Sequence, residues 1–317
     1  MKYLIIFVVL LFGFLEGVEN SIVPVIEAAV SKLPQQKYSK RQWVEIEEAL
    51  QHKKELFRVV TFNMLANDTD EKREEVNRWQ QRVPRIVDVL NEMHPDVLCP
   101  QELYQDQLDD LYPYLEEKFN FYGEPRLDGE LNGVFFNKGR FDPVKEAVWR
   151  LESTGNTLTM VQLKDKGTEK LFAVFNTHLS FGANEREEEI RFIKEILSSV
   201  ASSMPILFMG DLNTFPQRLD LDKLPFYDGD YTHRLLTEER LIDARDCSLL
   251  GHFGPLSTFT NAPGSGIPFQ GIGTPGVMLD HIYVSKGIGV LIHAVQPGTV
   301  QGHFPSDHMP LLIDGFL

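Results

Sequence analysis

The sequence predicts an α/β fold, carried by one catalytic domain that starts near residue 57 and runs to residue 317. Two observations predict it. Apolar runs of strand length recur along the chain, and between them lie segments whose apolar residues repeat at helical spacing. A third observation gives the domain chemistry. Several of the apolar runs end in a carboxylate, an amide or an imidazole, the groups from which catalytic centres are built.

Residues 1–20 stand apart. Lys2 is followed by an apolar run over 3–15 (YLIIFVVLLFGFL), too short for a comfortable membrane span and of the length of a signal-peptide core. The expectation is export, to a secreted or periplasmic place, with an uncleaved membrane anchor or a buried helix as alternatives. Residues 21–56 read as a helical extension. Ser39 with Gln42 forms a capping box that opens a helix to about residue 53, and Trp43, Ile46 and Leu50 are spaced to pack on the body as a brace.

From residue 56, LFRVVTFNM reads as a buried strand, followed by a polar loop and a helix with Val83, Ile86, Leu90 and Met93 on one face. His94-Pro95-Asp96 ends that helix, and VLCPQE is the next strand, with a local irregularity expected at Pro100. Further strands are GVFFNK, KLFAVFNTH, ILFMGDLN, MLDHIYVS and MPLLID. A second helix spans about 185–200, with Ile190, Ile193, Leu197 and Val200 on its face. Residues 251–276, rich in Gly and Pro, form a long loop of the kind that often serves function. No change of composition divides the chain after residue 56.

Composition excludes several classes. With 43% hydrophobic and 24% charged residues the chain is an ordinary globular protein, not a disordered, collagenous or repeat one. The net charge of −15 repels nucleic acid and anionic membranes at long range, and no block of Lys and Arg suits a duplex. That lowers the standing of a nuclease without removing it. Cys99 sits in an apolar run as a core residue; no C-x-x-C motif exists, and a disulfide to Cys247 is not expected.

The polar strand ends are Asn63 in TFN, Glu102 in PQE, His178 in NTH, Asp211 and Asn213 in GDLN, Asp280 in LDHIYVS, and Asp307 and His308 in SDH. A Mg²⁺ site wants oxygen ligands, one or two carboxylates completed by water and substrate phosphate. Glu102, Asp211 and Asp307 are candidates for it. A phosphoryl centre also needs donors for its oxygens, which Asn63, Asn213 and His178 supply. Water must lose a proton to a base, and an Asp280–His308 pair fits that task. Each motif alone is as readily a turn or a helix cap. The whole set, each member attached to an apolar strand, holds the residue types that one metal-phosphate centre needs.

In their order along the chain, Asn63, Gln101-Glu102, Asn176-Thr177-His178-Leu179, Gly210-Asp211-Leu212-Asn213, Asp280 and Ser306-Asp307-His308-Met309-Pro310 resemble the motifs of the endonuclease/exonuclease/phosphatase (DNase I-like) superfamily, over roughly residues 57–317. The resemblance implies a four-layer sandwich of two mixed β-sheets packed face to face and flanked by helices, with the site at one end of the sheets. It implies Glu102 as the main ligand of Mg²⁺, with Mn²⁺ the alternative, helped by Asn63 and Asp307. Asp211 and Asn213 would position water and phosphate, and His178 would bond the scissile phosphate. His308, oriented by Asp280, completes the acid/base set, and either Asp211 or His308 stands open as the base. His281 reads as structural, while Asn132 and Arg186 either touch substrate or brace the site.

MGDLNTF lacks the tryptophan that inositol polyphosphate 5-phosphatases carry before GDxN, and the basic surface of abasic-site endonucleases is absent. FNMLA and PSDHMPL resemble the CCR4/nocturnin-like branch, and GPLSTFT resembles bacterial-type members without an assigned substrate. The expectation is therefore a Mg²⁺-dependent phosphodiesterase, such as an exonuclease on single-stranded nucleic acid, acting as a monomer without a stable protein partner. Alternatives are a phosphomonoesterase, a sphingomyelinase-like lipid phosphodiesterase and, in another class, a non-catalytic secreted binding protein on the same fold.

Overall fold

The apolar runs form the strands of two large sheets. In chain order these are β1 (Phe57–Asn63), β2 (Val97–Gln101), β3 (Leu103–Tyr104), β4 (Phe119–Tyr122), β5 (Glu130–Leu131), β6 (Val134–Asn137), β7 (Phe141–Arg150), β8 (Thr157–Asp165), β9 (Leu171–His178), β10 (Ile206–Asp211), β11 (Ile242–Asp243), β12 (His252–Phe253), β13 (Asp280–Val284), β14 (Gly289–Val295) and β15 (Leu311–Phe316). The α-helices are α1 (Val23–Ser31), α2 (Lys40–Gln51), α3 (Trp79–Met93), α4 (Gln105–Leu115), α5 (Ala183–Ala201), α6 (Tyr231–Glu238) and α7 (Ala244–Cys247). The structure, a computed structural model, describes residues 23–33, 38–51, 55–214, 231–260 and 277–317. The expected signal segment over residues 1–20 and residues 261–276 of the Gly/Pro-rich segment lie outside the described residues. No helix among the described residues is long and apolar enough to cross a membrane.

One sheet has the order β12-β14-β15-β1-β2-β6-β4, the other β11-β13-β10-β9-β8-β7. They pack face to face. Val59, Val97, Cys99 and Phe136 from the first meet Val161, Phe172, Val174 and Met209 from the second in one apolar layer. On the outer face of the first sheet, Val60, Phe62 and Leu98 pack against Val83, Ile86 and Leu90 of α3 and Leu111 of α4. On the outer face of the second, Phe175 and Phe208 pack against Ile190, Ile193 and Leu197 of α5 and Leu236 of α6. Helix, sheet, sheet, helix: this is the four-layer sandwich that the resemblance implied. Because both faces of each central strand are covered, β1 and β10 read as continuous apolar runs rather than alternating ones. Each fully buried Phe or Val in these layers contributes on the order of 1.5–3 kcal/mol.

Two crossovers place the chemistry. β1 and β2 run parallel and are joined through α3; β9 and β10 run parallel and are joined through α5. Parallel neighbours send their carboxyl ends to the same edge, where ligands bind in α/β sheets. Asn63, Gln101, His178 and Asp211 are the last residues of these four strands.

The local readings held with additions. Ser39 Oγ accepts from Gln42 N at 3.2 Å, and Gln42 Oε1 accepts from Ser39 N at 3.1 Å, so the capping box closes at the start of α2. His94 ends α3 in the left-handed region, at φ 51°. At Pro100, pairing with β6 has stopped at Leu98 while pairing with β1 continues to Gln101. α1, α4 and the β7–β8 hairpin were not read from the sequence. β7 is an edge strand whose residues 142–146 are exposed, so it lacks the buried face that gives a strand its apolar pattern.

Candidate active site

Strand register brings the polar ends together. Asp211 lies opposite His178 of β9 on one side and opposite Asp280 of β13 on the other. Gly210, just before it, has φ 146°, and Asn213, just after, has φ 51°. Glu102 follows β2 at φ 55°, a left-handed turn that a non-glycine residue adopts only where its surroundings enforce it.

Asp211 is the hub. Its Oδ2 accepts from Asn63 Nδ2 at 3.0 Å and lies 3.6 Å from both His178 Nε2 and His308 Nε2. Its Oδ1 accepts from Asn213 N at 2.9 Å. Asn63 Nδ2 also donates to Glu102 Oε1 at 2.9 Å, while Asn63 Oδ1 is taken by Leu65 N. The Asn63 amide thus meets both carboxylates as a donor. Asn213 Nδ2 lies 3.0 Å from His178 Nε2 and donates to Leu179 O. His308 Nδ1 lies 2.7 Å from Asp280 Oδ2, the expected pair. Asp307 stands beside them, its Oδ1 3.2 Å from Ser306 Oγ, which donates its proton to Asn63 O at 2.7 Å. Asn63, Glu102, His178, Asp211, Asn213, Asp280, Asp307 and His308 therefore converge on one place, with Glu102 reached through Asn63 and Asp280 through His308.

Burial sets the charges. For His308, burial opposes protonation, but Asp280 and Asp211 outweigh it and hold the ring well above the ordinary imidazole range. Burial likewise opposes the charge on His178, yet Glu130 and Asp211 raise it to about 10. Burial pushes Asp211 towards its neutral form, and His308 and His178 reverse this, keeping its carboxyl below the usual range. Asp307 is raised to about 6, mainly by burial, with Glu102 adding repulsion. A divalent cation between such carboxylates would relieve that repulsion. The Glu102 and Asp211 carboxylates, bridged by the Asn63 amide, present oxygens to one place, as a hard ion requires.

Glu130, Arg126 and Arg82 carried no sequence signal. Glu130 Oε1 lies 3.1 Å from His178 Nδ1, and Arg126 holds the other oxygen at 2.9 Å. Gln101 Nε2 donates to Asn176 Oδ1 at 2.6 Å, and Asn176 Nδ2 donates to Pro100 O, bolting one sheet to the other behind the site. Arg82, buried in α3, donates to Met64 O, Leu65 O and Pro305 O, and burial pushes it down to about 10. It ties the loop after Asn63 to the loop before Asp307. Arg82→Met should leave those carbonyls unanswered and cost about 3–5 kcal/mol of stability, read as a fall in the urea midpoint. Asn132 and Arg186 are fully buried. Asn132 donates to Thr157 Oγ1, and Arg186 donates to Ser180 O in the loop after His178. His281 is buried and bonded within the protein, as read.

Comparison with known families now has a geometry to explain. The model described as "Endonuclease/Exonuclease/phosphatase family" matches residues 60–308, a span that holds every residue of the cluster above. The chain belongs to the endonuclease/exonuclease/phosphatase family. Within it, the chain is 24% identical over 206 residues to Protein angel of Drosophila melanogaster, covering 56% of this chain and 58% of that protein. It is 27% identical over 189 residues to nocturnin of Xenopus laevis, covering 50% and 48%. The chain thus spans about half the length of the curated relatives it matches. A solved endonuclease/exonuclease/phosphatase protein of Bacteroides vulgatus superposes with a TM-score of 0.69 at 23% identity, covering 83% of this chain and 99% of that one. The human nocturnin catalytic domain, solved with bound sulfate, gives 0.60 at 22%, covering 83% and 94%. A mannosyl-6-phosphatase of Bacteroides thetaiotaomicron gives 0.66 at 22%, covering 82% and 100%. At these identities the superpositions establish the shared DNase I-like family fold.

Proposed function

We propose that this member of the endonuclease/exonuclease/phosphatase family hydrolyses a phosphodiester with the help of a bound divalent cation, Mg²⁺ or Mn²⁺. One observation carries the reading: a buried carboxylate, Asp211, stands 3.6 Å from the Nε2 of both His178 and His308, with Glu102 one hydrogen-bonded amide away. Glu102 and Asp307 would hold the cation, and Asn63 would orient Glu102. When bound, the cation supplies Lewis-acid stabilisation of charge on the phosphoryl oxygens.

The residues of the chain do the rest. Asp211 takes the proton of the attacking water, with Asn213 N–H fixing its carboxylate, and His308 gives a proton to the leaving oxygen as its P–O bond breaks. Asp280 keeps His308 turned towards the centre. The resemblance of FNMLA and PSDHMPL to the CCR4/nocturnin-like branch supports a substrate of the nucleic-acid kind.

A second reading, a small phosphomonoester, is favoured by the charge around the site. Asp68 and Asp128 are exposed near Tyr104, whose phenol is raised by burial and by both carboxylates, and the chain carries −15 overall. Such a rim repels a long polyanion. Single-stranded RNA and DNA, sphingomyelin and a set of phosphomonoesters, each assayed with Mg²⁺ and with EDTA, separate the readings. EDTA is expected to abolish turnover and Mg²⁺ or Mn²⁺ to restore it, and Glu102→Gln should weaken the activating metal by at least ~10-fold. Turnover untouched by EDTA would overturn the reading.

A further inference from the structure

Behind the active site, on the outer face of the second sheet, lies another cluster of metal-ligating side chains: His233 of α6, Asp243 at the end of β11, and His281 of β13. Their ligand atoms all fall within 4.8 Å of one another, and all three side chains are buried. Side chains alternate along a strand, so Asp280 reaches the active site while its neighbour His281 faces the other way, on the same side as Tyr283.

Hydrogen bonding fixes how the groups are presented. His281 Nε2 lies 2.9 Å from Met278 O and 3.2 Å from Thr214 O, and both are acceptors, so Nε2 carries a proton. His281 Nδ1 lies 3.3 Å from Asp243 Oδ2. Asp243 Oδ1 is engaged by Arg245 N at 2.9 Å, which turns Oδ2 inward. The His233 ring stands 4.6 Å from the His281 ring at 72°, and its Nδ1 is in hydrogen-bond contact with the Tyr283 hydroxyl. With His281 Nδ1 deprotonated, this nitrogen and the Asp243 carboxylate oxygen are ligand atoms facing one place, which a cation would bridge. Bonds of about 2.0–2.1 Å around a tetrahedral zinc separate neighbouring ligands by roughly 3.3 Å, matching the His281–Asp243 edge of 3.3 Å. Each ligand is also oriented from outside, His281 and Asp243 by backbone groups and His233 by the Tyr283 hydroxyl, as metal ligands are.

We propose that His233, Asp243 and His281 form a structural site for Zn²⁺ or another imidazole-preferring divalent ion, separate from the catalytic cation. Two nitrogens and one oxygen suit such an ion better than Mg²⁺. The ion clamps α6 and the β11–α7 turn onto β13, directly behind the Asp280–His308 pair. Its role is to hold that strand, with no part in the reaction.

The test uses the full chain, stripped with a strong chelator and titrated with Co²⁺ in excess Mg²⁺, which occupies the oxygen-rich active site. The expected result is the intense visible absorption of four-coordinate Co²⁺, rising to one equivalent and displaced by Zn²⁺. His281→Gln and Asp243→Asn should lose the bands and the retained zinc, whereas Glu102→Ala should keep both. His281→Cys guards against a variant that fails to fold, since a thiolate should keep the ion and add a sulfur charge-transfer band. The proposal is overturned if the wild-type chain shows no such bands, if His281→Gln retains them, or if Glu102→Ala removes them.

Discussion

Asp211→Asn is expected to lower kcat/KM by at least ~10²-fold, or roughly 3 kcal/mol of transition-state stabilisation, while the chain stays folded. The replacement keeps the side chain's size. Its oxygen still accepts from Asn213 N, the bond that Asp211 Oδ1 makes at 2.9 Å. What disappears is the negative charge 3.6 Å from each of two imidazoles. That charge is one of the forces that raise His178 to about 10 against its burial, so His178 should titrate lower in the variant, as read by NMR of the histidine ring. The two effects belong together: a base is lost and its charge is withdrawn from both imidazoles. Full turnover in Asp211→Asn would remove Asp211 from the chemistry, and a His178 titration identical to wild type would remove it from the electrostatics.

Gly210→Ala is expected to have the largest effect on the fold. Gly210 sits in β10 at φ 146°, where side chains are rarely tolerated. A Cβ there would meet Thr177 O at 1.8 Å and the Thr177 carbonyl carbon at 2.9 Å. Those atoms are backbone of β9, locked in register with β10 and unable to swing aside as a flexible side chain would. The variant must separate the two central strands that carry His178 and Asp211. A loss of more than about 4 kcal/mol follows, seen as insoluble protein or a collapsed urea midpoint. A soluble Gly210→Ala chain with an unchanged midpoint would show that β9 and β10 do not approach as described. The glycine of GDLN therefore serves close strand approach, and the aspartate beside it serves the chemistry.

Much of this was legible in the sequence because the information is local. The run before Asn63 and the run before Asp211 are apolar over strand length since both faces of each strand are buried, and a polar residue that closes such a run stands at the carboxyl edge of a sheet. α3 and α5 announced themselves by the spacing of their buried residues. The order of the motifs was enough to imply the family, which the match over residues 60–308 then established.

Tertiary structure alone decided which polar groups meet. Glu130 lies 48 positions before His178, and no periodicity marks it as that ring's partner. Arg82 lies 223 positions from Pro305, yet it ties the loops on either side of the site. Gln101 and Asn176 are 75 positions apart and join the two sheets. His281 reads as an ordinary buried histidine until His233 and Asp243 arrive from other elements to face it. A strand or a helix is written in the spacing of its own residues. A buried polar contact is fixed by which elements the apolar layers bring together, and one stretch of sequence does not contain that.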